Sequence, residues 1–369
     1  MKILLACDKF KGSLDSIGVN TAIAKGWKKK HPNSTIVVLP LADGGDGTLV
    51  VLANALNLSF IDQLTIDPIG RAITAPYLQD GDTAYFELAA ASGIALLKDV
   101  PLAPLRTTTL GTGRIMRMAL DAGTRNLVLG LGGSCTTDAG LGIAYELGVR
   151  FYDENKQEVI PAGGNLSSIV ALDTQQMVTI NQLTILCDVS NPLYGSDGAA
   201  HVFARQKGAS EAEIHFLDRG LRHVAQLIEK HTGRSISKLS GGGAAGGIAA
   251  GLTGFFNTEI VNGFDFIKEK TDLETQIKTA DLVITGEGQL DKTSLDGKVV
   301  GGVAALCQQY GKSLIAVVGN STLSIAEKEA LGLDQIYTVL ERAGSVEVAI
   351  RDTSLYLEEI GQCLLFSQG

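Results

Sequence analysis

The strongest constraint on this chain is a pattern that occurs three times. An apolar, strand-like run leads directly into a loop of glycine, carboxylate and small hydroxyl residues, and a helix-like segment follows. The segments are Leu39-Pro40-Leu41-Ala42-Asp43-Gly44-Gly45-Asp46-Gly47-Thr48, Leu131-Gly132-Gly133-Ser134-Cys135-Thr136-Thr137-Asp138-Ala139-Gly140 and Ile284-Thr285-Gly286-Glu287-Gly288-Gln289-Leu290-Asp291. Strand ends of this kind suit an open α/β sheet, whose ligands sit beyond the carboxyl ends of its strands. Glycine lets backbone N–H groups close on phosphate oxygens, and a helix N-terminus favours negative charge. Carboxylates in the same loops would repel a bare phosphate, so the pattern calls for Mg²⁺ between them. The chain reads as one built to handle a metal-bound polyphosphate.

At 369 residues the chain exceeds what one hydrophobic core usually holds, so two domains are expected. Glycine fills 44 positions against eight prolines, a surplus that indicates many backbone-defined loops. The net charge of −9 argues against nucleic acid, since no basic stripe could neutralise a phosphate backbone. The basic run Lys28-Lys29-Lys30-His31 before Pro32 reads as the end of a helix, where cations complement the macrodipole. Five scattered cysteines without a C-x-x-C pair fit a reducing compartment. The opening Met1-Lys2-Ile3-Leu4-Leu5-Ala6 is a strand too short for a signal peptide, and no apolar run is long enough to span a membrane. A cytoplasmic protein with no membrane partner is expected.

Strand and helix patterns alternate at both ends of the chain. Strands are expected at 3–7, 35–39, 282–285, 314–318 and 336–340, with a helix from about 15 to 31. Between 60 and 88 the turn signals Asp67-Pro68-Ile69-Gly70 and Asp80-Gly81-Asp82 split three strands into a meander. Further strands are expected at 126–131 and 183–187, and a long helix from about 211 to 231. The expected fold class is therefore α/β: a discontinuous Rossmann-like parallel-sheet domain over 1–62 and 282–369, interrupted by a second α/β domain with a mixed sheet over 63–281.

The ordered motifs Asp8-Lys9-Phe10-Lys11-Gly12-Ser13-Leu14, Leu41-Ala42-Asp43-Gly44-Gly45-Asp46-Gly47-Thr48, Leu131-Gly132-Gly133-Ser134, Cys187-Asp188-Val189-Ser190-Asn191-Pro192-Leu193, Gln206-Lys207-Gly208-Ala209, Gly243-Ala244-Ala245-Gly246-Gly247 and Thr285-Gly286-Glu287-Gly288 together resemble the bacterial type 1 glycerate kinases. Asp46 stands where the family pattern carries Glu, and Ala204-Arg205 where Gly-Pro is common. The resemblance implies ATP-dependent phosphorylation of D-glycerate, with the site in a cleft between the two domains. The choice of the 2-hydroxyl, giving 2-phosphoglycerate, rests on the resemblance alone. D-glycerate and ATP are the expected partners, and a homo-oligomer is left open.

Phosphoryl transfer needs in-line positioning, Mg²⁺, cations on the transferring group and a carboxylate to take the hydroxyl proton. Asp188 and Asp8 each follow a cysteine at a strand end. Asp188 is the expected proton acceptor, with Asp8 and Asp43 as rivals; its plain alternative is a cap of the Ser190-Asn191-Pro192 turn. Lys11 is the expected catalytic cation. Ser13, Asp43 and Arg71 are expected on substrate, Arg71 having the alternative of bracing the Asp67-Pro68 turn. Gly132, Gly133, Ser134, Gly243, Gly246, Gly286 and Gly288 are expected around the nucleotide. Asp43, Asp46, Glu287 and Asp291 are the expected metal carboxylates, against helix caps or an exposed turn with local ion pairs.

Other signals fail on inspection. Gly241-Gly242-Gly243-Ala244-Ala245-Gly246 matches G-x-G-x-x-G, but the polar segment Arg234 to Ser240 before it is no strand. Gly311-Lys312-Ser313 leads into a strand instead of a helix, and His215, His223 and His231 lack the i, i+4 spacing of a zinc pair. The competing classes are an NAD(P)-dependent oxidoreductase of a small hydroxy acid, which lacks a sound fingerprint, and a non-catalytic sensor, which would need no loops dense in carboxylates.

Overall fold

The computed structural model describes residues 1–295 and 298–365. Its strands are β1 (Lys2–Cys7), β2 (Thr35–Val38), β3 (Ile61–Ile66), β4 (Ala72–Asp80), β5 (Thr83–Glu87), β6 (Asn126–Gly130), β7 (Arg150–Tyr152), β8 (Ala171–Asp173), β9 (Gln182–Leu186), β10 (Thr258–Val261), β11 (Leu282–Gly286), β12 (Gln289–Leu290), β13 (Ser313–Val318), β14 (Asn320–Ser321) and β15 (Gln335–Thr338). They divide between two compact units, one formed by Met1–Asn57 with Gly263–Gly369, the other by Leu58–Asn262.

The first unit is built on an all-parallel sheet in the order β15-β13-β11-β1-β2. Ile3 of β1 lies opposite Leu282 on one side and Ile36 on the other. A parallel sheet covered on both faces needs continuous apolar strands, and Ile3 through Cys7 and Leu282 through Gly286 are buried throughout. The helix Ser16–Lys30 starts where the Asp15 carboxylate accepts the Gly18 N–H at 2.7 Å and ends on Lys28, Lys29 and Lys30, both favourable to its dipole. Val19, Ile23 and Trp27 form its buried stripe. It crosses the helix Thr353–Cys363 at paired glycines: a Cβ on Gly26 would lie 1.9 Å from Glu358 O, and one on Gly361 2.4 Å from Ile23 O.

Two sequence expectations change here. The strand expected over 336–340 stops at Thr338, whose hydroxyl accepts the Glu341 N–H at 3.3 Å and starts the helix Val339–Ala343. Residues 263–281, expected in the inserted domain, form the helices Gly263–Lys270 and Leu273–Thr279 and cluster with the first unit. The reason is packing: Gly263 lies against Asp43 O, 2.0 Å from where its Cβ would stand, and the Phe264 ring fills the space beside Gly302.

The second unit has a mixed sheet in the order β10-β9-β6-β5-β4-β3. β3-β4-β5 is the antiparallel meander expected from the turn residues, while β5-β6-β9-β10 pair in parallel. The helix Glu211–Thr232 opens with a reciprocal Ser210–Glu213 cap and buries Ile214, Leu217, Leu221, Val224 and Ile228 at the spacing of a single helical face. The chain is thus α/β, a parallel-sheet unit interrupted by a mixed-sheet unit. Among the described residues no helix is long and apolar enough to cross a membrane.

Candidate active site

In the first unit the chain passes from β1 to β2 on one side and later returns to β11 on the other. Such a reversal opens a crevice beyond the carboxyl ends of the two adjacent strands. Asp8 follows β1 there and Glu287 follows β11, tied by the Asp8 N–H donating to Gly286 O at 2.8 Å. Leu41 N donates to Cys7 O at 3.1 Å and brings the loop after β2, with Asp43, to the same edge. All three carboxylates line one cavity of 380 Å³ together with Lys9, Lys11 and Ser13.

Electrostatics within this group are strained. Asp8 is 8% exposed, and burial pushes its carboxyl up to about 7; Lys9 and its N–H, which donates to Oδ1 at 2.6 Å, oppose the rise, and Asp43 and Glu287 add to it. Burial likewise pushes Glu287 up to about 7, against the Ser294 hydroxyl and Lys298 and with the charges of Asp291 and Asp43. Its Oε1 is buried without a hydrogen-bond partner among the described residues. A buried acceptor left unpaired beside like charges is costly, and a cation would relieve it. Mg²⁺ typically keeps several waters and takes one or two carboxylates plus substrate phosphates, which matches Asp43 and Glu287 as donors. Asp46 and Asp291 do not line the cavity. Asp46 is exposed and its carbonyl accepts from Lys9 Nζ; among the described residues no group of three or more acidic, histidine or cysteine side chains forms a ready metal cage. Of the four carboxylates expected on metal, Asp43 and Glu287 line this cavity, beside Asp8, and Asp46 and Asp291 do not.

Ser13 spends its hydroxyl inside the protein, donating to Ile350 O at 2.9 Å and meeting the Thr353 hydroxyl. Gly288 lines the cavity, whereas Gly286 is a packing glycine, with Val317 O 1.8 Å from where its Cβ would stand. Lys11 is exposed at the cavity's edge.

In the second unit Asp188 follows β9 on the exposed surface, where its Oδ1 accepts from Asn262 Nδ2 at 3.1 Å. The loop of Gly132, Gly133 and Ser134 follows β6, with Gly133 at φ +70° and its carbonyl accepting from Ile94 N. The helix after this loop begins at Leu141, with Gly140 at its N-cap position. Asp138 is fully buried and accepts from Thr109 N and Oγ1, each at 2.8 Å, and from Gly140 N at the start of that helix. Gly243 and Gly246 are close-packing positions, filled by Pro192 O and Thr136 O at 2.3 and 2.1 Å from their would-be Cβ atoms. Arg71, expected on substrate or as a brace of its own turn, shows the second role. Its guanidinium is taken up by Asp67, Asp99 and Leu96 O, so it braces the Asp67-Pro68 turn.

Two features escaped sequence reasoning. Lys207, in the Gln206–Ala209 motif, carries no role from sequence; it is 2% exposed and donates to Thr136 O at 2.6 Å, its ammonium pushed down to about 8 by burial. The other is an apolar wall of the first unit's cavity, formed by Val339, Leu340, Val346, Ala349 and Ile350. No local signal distinguishes such a face from ordinary core.

Comparison with known proteins agrees in one direction. The family model of the glycerate kinase family matches residues 3–366. The glycerate kinase of Bacillus subtilis (strain 168) is 37% identical over 363 residues, covering 97% of this chain and 95% of that one. The glycerate 2-kinase of Escherichia coli (strain K12) is 37% identical over 95% of this chain and 93% of its own length. The crystal structure of a putative glycerate kinase 2 from Salmonella typhimurium LT2 superposes with a TM-score of 0.83 at 34% identity, over 98% of this chain and 96% of that one. With this family match spanning both units, the chain belongs to the glycerate kinase family.

Proposed function

We propose that this enzyme transfers the γ-phosphoryl group of ATP to the 2-hydroxyl of D-glycerate, releasing ADP and 2-phosphoglycerate. The observation that carries the reading is the convergence of Asp8, Asp43 and Glu287, with Lys9 and Lys11, at the strand reversal of the first unit. Bound Mg²⁺ would supply charge neutralisation of the phosphates, and Asp43 with Glu287 fit its preference for carboxylate oxygens. Lys11 offers a flexible cation for the transferring group. The name of the Escherichia coli relative, glycerate 2-kinase, supports the 2-hydroxyl.

In the transfer the glycerate oxygen bonds to the γ-phosphorus as the bond to the β,γ-bridging oxygen breaks, and the hydroxyl proton passes to a carboxylate. Asp188 is the proposed acceptor, supported by its position just beyond a strand end and by the Asn262 amide that holds one oxygen. Asp8 is the rival, because a carboxyl near 7 matches the working range of a general base. The Gly132–Ser134 loop is proposed to offer backbone N–H groups to an anion. A nicotinamide oxidoreductase is not favoured: the helix Ala244–Phe255 follows turns, not a strand. Incubating the protein with D-glycerate and MgATP, or with NAD, and identifying the product by ³¹P NMR tests the proposal. Formation of 3-phosphoglycerate, or NAD reduction without phosphorylation, would overturn it.

A further inference from the structure

The cavity of the first unit has two chemically different ends. Its polar end follows β1 and β11, with Asp8 and Glu287. Its apolar end follows β15, with Val339 and Leu340, and continues onto the helix Val346–Arg351. Val346, Ala349 and Ile350 stand at i, i+3 and i+4, one face of that helix, and all three line the cavity. Val346 is 60% and Ile350 47% exposed. A helix normally turns such a stripe into the core; here part of it faces open space beside charged groups.

The sheet order places β15 and β1 three strand spacings apart, about 14 Å at roughly 4.8 Å per spacing. D-glycerate is a three-carbon acid bearing oxygen on every carbon, so it has neither the length nor an apolar face for this cavity. A nucleotide has both, with a flat, weakly polar base at one end and phosphates at the other. Ligand pockets are mostly apolar with a few convergent polar groups, and a volume of 380 Å³ falls in their range. Resting on the kinase reading above, we infer that the Val346–Ala349–Ile350 face with Val339 and Leu340 takes the purine of the phosphoryl donor, whose phosphates point toward Asp8, Asp43 and Glu287. The nucleotide's base then belongs to the first unit, and the Gly132–Ser134 loop of the second unit does not bind it.

The test is calorimetric titration, in Mg²⁺, of ATP and of inorganic tripolyphosphate into wild type and the Val346→Ser/Ile350→Ser double variant. Both side chains lie at the surface, about half exposed or more, so the variant should fold, which an unchanged circular dichroism spectrum and melting curve will verify. Wild type should bind ATP at least tenfold more tightly than tripolyphosphate. The variant should lose about tenfold in ATP affinity, the yield of two aliphatic contacts, with tripolyphosphate affinity unchanged. An ATP advantage that survives in the variant, or falls with Gly133→Val instead, overturns the inference. If wild type phosphorylates D-glycerate while the variant keeps its ATP advantage, the kinase reading stands and this one fails. If no phosphorylation occurs but the advantage is lost in the variant, this one stands and the kinase reading fails.

Discussion

Replacing Glu287 by Gln should make the ligand-free protein more stable and less active at once. Burial lifts the Glu287 carboxyl from 4.5 to about 7, so the folded state holds its proton longer than the unfolded chain does. The associated stability is complete below pH 4.5 and is lost as the pH rises through 7. At about 1.36 kcal/mol for each tenfold change in the ionisation constant, the raised value costs the fold about 1 kcal/mol at pH 5, where the carboxyl must hold a proton the unfolded chain has released, and about 3 kcal/mol at pH 8, where it must ionise in place. Gln keeps the shape and removes the charge, so its stabilising effect should grow between those two pH values. Asp8, raised in part by Glu287, ionises more easily once that charge is gone, which adds in the same direction. The assay is thermal denaturation in EDTA at pH 5 and pH 8. An excess stability of about 3 kcal/mol should raise the melting temperature by roughly 4 °C at pH 8, with a smaller gain at pH 5. Turnover should fall because a proposed metal carboxylate is gone. A variant no more stable at pH 8 than wild type, or equally stabilised at both pH values, would refute the reasoning.

Three other outcomes are expected. Exhaustive EDTA treatment should abolish phosphorylation and Mg²⁺ should restore it; undiminished turnover in EDTA counts against metal-assisted transfer. Asp188→Asn should lower kcat far more than it raises KM for D-glycerate, as loss of a proton acceptor does, and near wild-type kcat would move the role to Asp8. Gly26→Ala should destabilise the fold by about 2 kcal/mol or more through overpacking, because Glu358 O leaves no room for a methyl; an unchanged melting temperature would show that the two helices can separate freely.

Much of the fold is legible in the sequence because its signals are local. Asp15 and Ser210 mark helix starts through side-chain bonds spanning three residues, and the buried runs of β1 and β11 announce a sheet covered on both faces. The loops after these strands can be named for the same reason. Where sequence and structure differ, the deciding contact is distant. Residues 263–281 read as part of the inserted domain because nothing in them reports that Phe264 packs beside Gly302. Arg71 suits a substrate cation or a turn brace until Asp99, far along the chain, takes up part of its guanidinium.

The sequence by itself determined which residues stand at strand ends and which chemistry they carry: Asp8 beyond Cys7, Glu287 beyond Gly286, Asp43 among glycines. Periodicity, capping and glycine placement act over a few residues, and a single chain displays them openly. Only the tertiary structure decided that these three carboxylates share one cavity while Asp46 and Asp291 stay outside it, because the parallel pairing of β1 with β11 joins opposite ends of the chain. It also decided that the Val346–Ile350 face opens onto that cavity, and that Asp8 and Glu287 hold their protons to about pH 7. Burial and mutual repulsion are sums over spatial neighbours, and no stretch of sequence contains them.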